Sequence, residues 1–197
     1  MIRKFSPWVA VGLAGLLLLA VIAWRSGSPS QTTDAAAIGG DFHLVDQTGR
    51  PVDQTLLKGK WSVVFFGYTY CPDVCPTTLT TLGSAADELG EKAKDFQVVF
   101  ITIDPHRDTP AQLKAYLSSG SFPKGTIGLT GTDAQIAQAA SAYRVYFQKQ
   151  GTGANYSVDH SSTLYLMNPQ GRFDSPIAYG LTPEQTRDSI LKAMHGA

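Results

Sequence analysis

Cysteine is almost absent from this chain: there are two in 197 residues, Cys71 and Cys75. That scarcity excludes a disulfide scaffold, because no third cysteine exists to join distant segments. A bridge within the pair would close so short a loop that the loop-entropy model credits it with only about 2 kcal/mol. Net charge is absent too, since 16 basic and 16 acidic residues sum to +0. With no basic stripe to offer, the chain has neither nucleic acid nor an anionic surface as its expected main partner. No internal repeat occurs, which sets aside the repeat architectures.

Long apolar runs are confined to the N-terminus. Phe5 to Trp24 carries no charged residue, and Val9 to Ala23 is almost wholly apolar. As a helix, Pro7 to Trp24 would span about 27 Å, close to the hydrocarbon thickness of a bilayer. Trp8 and Trp24 bracket it where interfacial aromatics belong, and Arg3 and Lys4 precede it, which points to a cytoplasmic N-terminus. A cleaved signal peptide is the competing reading. Ala23-Trp24-Arg25 stands where a small-x-small cleavage site would be needed, so an uncleaved anchor is expected. Residues 1–25 are therefore read as a cytoplasmic tip and transmembrane helix, and 26–37 (SGSPSQTTDAAA) as a flexible tether. Residues 38–197 form an exported domain with enough chain for one core. In an oxidising compartment a close thiol pair tends toward a disulfide unless a metal holds it or a reductant is supplied.

Within that domain, Phe42–Val45 suggests a short strand. Trp61–Phe66 and Phe96–Ile103 read as buried strands, and Pro76–Leu89 as the helix that begins at the cysteines. Three later helices share one start signal, a Thr cap with Gln three residues on: Thr109–Gln112, Thr132–Gln135 and Thr182–Gln185. Pro110 and Pro183 occupy the first helical position of two of them. A short strand is expected near Ile127–Leu129. A hairpin runs from Thr163–Met167 through the turn Asn168–Gly171 to Arg172–Tyr179. This order suits an α/β three-layer sandwich with a mixed central sheet, and thiols opening the first core helix make it thioredoxin-like.

Cys71 and Cys75, four apart, are expected to offer two donors from one helical turn, and a helix N-terminus favours thiolate over thiol. Thiol redox and soft-metal binding both remain open on this evidence. Of the four histidines, His195 ends the last helix and is expected in solvent. His43 lies on an early strand in an edge or surface position. His106, in Asp104-Pro105-His106-Arg107-Asp108, is a loop residue that could face the site. His160, in Val158-Asp159-His160-Ser161-Ser162, enters the hairpin where a thioredoxin fold passes over the thiols, and no proline stands there. Position and the adjacent Asp159, a candidate to orient the ring, make His160 the candidate third ligand. Asp73 either tunes local charge or is a solvated helix-start carboxylate. Tyr68 and Tyr70 are expected at the core or rim, and Met167 in the core.

Cys71-Pro72-Asp73-Val74-Cys75-Pro76, preceded by Phe65-Phe66-Gly67-Tyr68-Thr69, resembles the signature of the Sco (SenC-type) proteins. So do Asp104-Pro105-His106-Arg107-Asp108-Thr109 and Asp159-His160-Ser161-Ser162. These are membrane-tethered thioredoxin-fold copper proteins that help assemble cytochrome c oxidase. The resemblance implies copper, as Cu(I) and possibly Cu(II), on Cys71, Cys75 and His160. Its implied recipient is the copper-receiving subunit of cytochrome c oxidase, with a copper donor and a thiol reductant in the same compartment. Two thiolates and an imidazole suit cuprous ion, although the same set also serves zinc. The alternative function is a thiol-disulfide oxidoreductase using Cys71 and Cys75 as catalytic residues to reduce the oxidase's own cysteines or sense redox state. A peroxidase is a third reading. Without an Arg-rich presequence, the expected location is a bacterial inner membrane, single-pass, with the domain facing the periplasm.

Overall fold

The computed structural model describes residues 38–196. The anchor over 1–25 and the tether over 26–37 lie outside them, and no helix among the described residues is long and apolar enough to cross a membrane.

Among the described residues, nine strands and four α-helices follow one another. They are β1 (His43–Asp46), β2 (Pro51–Asp53), β3 (Trp61–Gly67), α1 (Val74–Asp87), β4 (Phe96–Thr102), α2 (Pro110–Leu117), β5 (Ile127–Thr130) and α3 (Asp133–Ala142). Then come β6 (Phe147–Gln150), β7 (Ser157–His160), β8 (Leu164–Met167), β9 (Phe173–Ile177) and α4 (Pro183–Gly196). Seven strands form one mixed sheet in the order β2-β1-β5-β4-β3-β8-β9. β3 runs parallel to β4 and antiparallel to β8, with Val64 opposite both Val99 and Tyr165. All seven residues of β3 are buried, as a central strand covered on both faces demands.

The two-residue period of β3 sorts its side chains between two cores. Val64 and Phe66 join Ile136 and Ala139 of α3 and Tyr143 at its C-terminal cap on one face. Val63 and Phe65 join Leu79 and Leu82 of α1, Leu113 of α2 and Ile190 of α4 on the other. The result is the expected thioredoxin-like α/β sandwich, with helices on both sides of a mixed sheet. Met167 is in the core, as expected.

The three Thr signals are all used. Thr109 Oγ1 accepts from Gln112 N at 3.2 Å and Pro110 opens α2. Thr132 with Gln135, and Thr182 with Gln185, form reciprocal capping boxes. Gln112 instead sends its side-chain amide to Thr69 Oγ1 at 3.1 Å, tying α2 to the segment that leads to the cysteines. The β8–β9 hairpin is present, its turn held by Asn168 Oδ1 accepting from Gln170 N and Arg172 N.

The short strand β2, paired with β1, and a ribbon beside the main sheet were not foreseen. β6 and β7 pair as a separate antiparallel ribbon, with Phe147 opposite His160 and Gln150 opposite Ser157. Its first strand, Phe-Gln-Lys-Gln, shows no apolar alternation to betray it. Its connecting loop turns through Gly151 (φ 93) and Gly153 (φ 78), backbone angles that glycine reaches without strain.

Candidate metal centre

β3 ends at Gly67 and delivers the chain to the rim of the sheet, where Tyr68 O accepts from Cys71 N at 3.2 Å to close a turn. Cys71 stands in that turn, half-buried, and α1 begins only at Val74. The expectation of two donors from one helical turn is thereby corrected. A residue before proline is disfavoured in helical conformation, and Pro72 follows Cys71. Cys75 lies within the first turn of α1, where Pro76 is tolerated because its missing N–H would have had no partner. Its side chain is 0% exposed. The free N–H of Cys75 points back to Cys71 Sγ at 3.4 Å, so the helix N-terminus acts directly on the first sulfur.

The two thiols are not bridged, and their environments differ sharply. The Cys75 thiol donates to the Cys71 sulfur, His160 and the N–H groups of Cys75 and Asp73 add to it, and the Cys71 pKa falls from 9.0 to about 4. Cys75 is driven strongly upward, first by giving its proton to Cys71 and then by burial. One proton is thus shared by the pair, resident on the buried sulfur and offered to the outer one.

His160 is the last residue of β7, so the unforeseen ribbon carries it. Its Nε2 stands 3.8 Å from Cys75 Sγ. Its Nδ1 lies 2.8 Å from the carbonyl of Ser161; a carbonyl can only accept, so Nδ1 bears a proton and in the neutral ring Nε2 presents a lone pair. Asp159 is not the orienting group. It is exposed and accepts from Gln150 Nε2 at 2.9 Å across the ribbon. Tyr68 steadies the imidazole from the side: its ring meets His160 edge-on at 6.1 Å, and its hydroxyl accepts from Val158 N at 3.3 Å.

Tyr68, Cys71, Asp73, Asp159 and His160 share one open cavity at the surface. Among the described residues, no group of three His, Cys, Asp or Glu side chains is gathered as a finished ion site. The Sγ–Nε2 separation nevertheless fits an ion between them. With bonds of about 2.3 Å to sulfur and 2.05 Å to nitrogen, a 3.8 Å gap subtends about 120° at the ion, the trigonal angle.

The other histidines stand apart. His43 and His195 are exposed, and His106 Nε2 meets Asp133 Oδ2 at 3.1 Å in solvent. Tyr70 is 54% exposed rather than packed.

The segment around His106 holds what the sequence reading missed. Asp108 is 0% exposed; it accepts from Thr69 N at 3.0 Å, Thr69 Oγ1 at 2.7 Å and Thr102 Oγ1 at 2.6 Å, pinning the loop two residues before Cys71. Burial raises its pKa against those donors. Asp104, also buried, accepts from Arg107 Nε and from Tyr156 Oη at 2.6 Å. The charge density of Asp-Pro-His-Arg-Asp reads as a solvated loop.

A thioredoxin-like sandwich with a thiol pair at the head of its first core helix and an imidazole closing over it defines a thiol or soft-metal protein of that fold. The particular family is also shown: the SCO1/SenC family model matches residues 30–195, and the chain belongs to that family. It is 43% identical over 159 residues to the mitochondrial SCO1 homolog 1 of Arabidopsis thaliana, covering 80% of this chain and 47% of that protein. The chain thus spans about half the length of that relative. Among solved structures, copper-bound ScoI of Arabidopsis thaliana superposes with a TM-score of 0.77 at 37% identity, covering 82% of this chain and all of that one. Copper-bound ScoI of Bradyrhizobium japonicum gives 0.72 at 44% identity, covering 80% and 99%.

Proposed function

We propose that this protein is a copper chaperone that holds Cu(I) on Cys71, Cys75 and His160 and passes it to the dinuclear copper centre of cytochrome c oxidase. The observation that carries the ligand set is the facing of Cys75 Sγ and His160 Nε2 across 3.8 Å, with the ring held from its other side by Ser161 O at Nδ1. Copper-bound relatives of the same fold supply the identity of the ion. Copper uptake would displace the proton held by the thiol pair and leave two thiolates and an imidazole around the cargo. The soft donors suit cuprous ion, and a coordination number of three leaves one side open for a receiving thiolate. The apolar run before residue 25 serves as anchor and 26–37 as tether, placing residues 38–197 on the outer face of a bacterial inner membrane.

The test is anaerobic Cu(I) titration of the reduced full-length protein in detergent against a competing chelator. One tightly bound ion is expected, with affinity falling sharply in Cys71→Ser, Cys75→Ser and His160→Ala. An unchanged affinity in His160→Ala would sink the three-ligand centre.

One observation favours a second reading. An outer thiol held as thiolate beside a buried protonated one is the asymmetry of an attacking and a resolving cysteine in disulfide exchange. If the protein reduces the oxidase's cysteines, both thiols are needed and His160→Ala retains disulfide-reducing turnover.

A further inference from the structure

We infer that Arg107 is a positioning residue for the copper centre: it clamps the β6–β7 ribbon to the cysteine loop and so sets where His160 stands. The inference rests on the copper reading above and adds a residue to it that touches no ligand.

The ribbon pairs with no strand of the main sheet, and a lone two-stranded ribbon is marginal in water. Its alignment must therefore come from its sides. Arg107 lies on the loop after β4, and its side chain is only 14% exposed. Its Nη1 donates to the carbonyl oxygens of Tyr156 at 3.0 Å and Ala154 at 3.4 Å, both in the ribbon's connecting loop just before β7. The guanidinium carbon lies 3.6 Å from the Tyr156 ring centroid, 4.6 Å from that of Tyr70 and 5.7 Å from that of Tyr68. Tyr70 is the residue before Cys71, and Tyr156 stands four residues before His160. One planar cation is thus packed between the segment that bears the outer sulfur and the segment that bears the imidazole. Its Nε is held by Asp104, which also accepts from Tyr156 Oη, so the cation is fixed to the sheet as well as to the ribbon.

A lysine cannot reproduce this. The two carbonyls, the carboxylate and the stacked rings require a flat fork with several donors, whereas an ammonium is a point charge on a flexible stem. Arg107→Lys keeps the charge beside buried Asp104, and so protects the fold, while it loses the fork. With the clamp gone the ribbon opens more often, His160 spends less time opposite Cys75, and the ion loses its nitrogen ligand. Arg107 does not touch His160, but losing the groups that orient a ligating histidine typically costs about 10- to 100-fold in affinity, and the same scale is expected for losing the ribbon's clamp.

Two measurements on the full-length protein decide the matter. In the reduced, metal-free state, amide hydrogen exchange across Phe147–Gln150 and Ser157–His160 is expected to quicken in Arg107→Lys while β3 and β4 keep wild-type protection. Under chelator competition, Arg107→Lys is expected to lower Cu(I) affinity about 10- to 100-fold when His160 is present. In a His160→Ala background it should change affinity by less than about 3-fold, because the effect passes through that ring. Unchanged ribbon exchange, an undiminished affinity, or an equal loss in both backgrounds would each overturn the clamp. If Arg107→Lys loses protection in β3 and β4 as well, Tyr156→Leu, which removes the ring beneath the guanidinium, takes its place with the same expected and overturning results. A wild type that takes up no copper would defeat the chaperone reading, and ribbon exchange would then uphold or overturn the clamp by itself.

Discussion

Gly67 closes β3 directly beneath the metal centre, and adding one methyl there gives the sharpest test of the site's packing. A Cβ built at Gly67 would lie 2.8 Å from Cys75 Sγ, 2.9 Å from Phe100 Cε2 and 3.2 Å from Phe100 Cζ. The first two contacts are closer than atoms of those kinds tolerate and the third is tight, and both neighbours are 0% exposed. Phe100 is locked edge-on against Phe65 at 5.7 Å and cannot swing into free space. The sulfur is therefore the atom that gives way. Overpacking of this kind costs about 1–3 kcal/mol. Its effect on the ion is geometric. If the sulfur retreats from His160 Nε2 by about 0.4 Å, the angle at a bridging ion opens from about 120° to about 150°; beyond a gap of about 4.35 Å no ion touches both atoms at normal bond lengths. Gly67→Ala is thus expected to lower the urea midpoint of the reduced, metal-free protein and to weaken Cu(I) in parallel. Unfolding followed by circular dichroism, with chelator competition on the same preparation, reads both. A variant with wild-type midpoint and wild-type copper affinity would refute the claim that this floor is tightly packed.

Three further outcomes follow from Asp108 and the thiol pair. Asp108→Ala strands the Thr69 N–H and two threonine hydroxyls, and should cost about 3 kcal/mol by chemical denaturation, with Asp108→Asn losing less because its amide oxygen still accepts. With its pKa depressed to about 4, Cys71 should remain alkylatable by iodoacetamide at about pH 5–6 and lose reactivity as pH falls through that value. Cys75, pushed the other way, should stay unmodified; mass spectrometry of the labelled peptide distinguishes them, and equal labelling at pH 6 would contradict the shared proton. Because only one proton remains to be displaced from the sulfurs, apparent Cu(I) affinity should rise about 10-fold per pH unit between about pH 7 and 8.5, and a 100-fold rise would mean that both thiols begin protonated.

What could be read in the sequence divides by range of interaction. Helix starts are local: Thr109, Thr132 and Thr182 each announced a cap with its Gln, and each cap formed. The buried strands were legible because β3 and β4 are continuous apolar runs. The thiols and His160 were legible as a motif, and the fold does bring Cys75 and His160 together. The ribbon was not, because its strand Phe147–Gln150 is mostly exposed and lacks the alternation that burial writes into a sequence. That omission displaced the reading of His160 from a strand end to a loop, and assigned its orientation to Asp159 rather than to a backbone carbonyl. Asp108 and Arg107 were hidden for the opposite reason. Charged residues beside a proline resemble solvent loops, and only the fold reveals that Thr69, Thr102 and Tyr156 converge on them from elsewhere in the chain.

The placement of the histidine on an appendage has a consequence for how cargo leaves. Both sulfurs belong to a segment rooted in the central strand and its helix, whereas the nitrogen rides on a ribbon outside the main sheet. Opening that ribbon removes one ligand and uncovers Val158 at the edge of one core while the strands of the main sheet stay paired, so it draws on local rather than global unfolding free energy. In the proposed three-ligand centre the ion would then pass from three donors to two, and an incoming thiolate would enter the vacated side before either sulfur lets go. On that reading release is a matter of how often the ribbon breathes, and a very stable fold would still leave its cargo exchangeable.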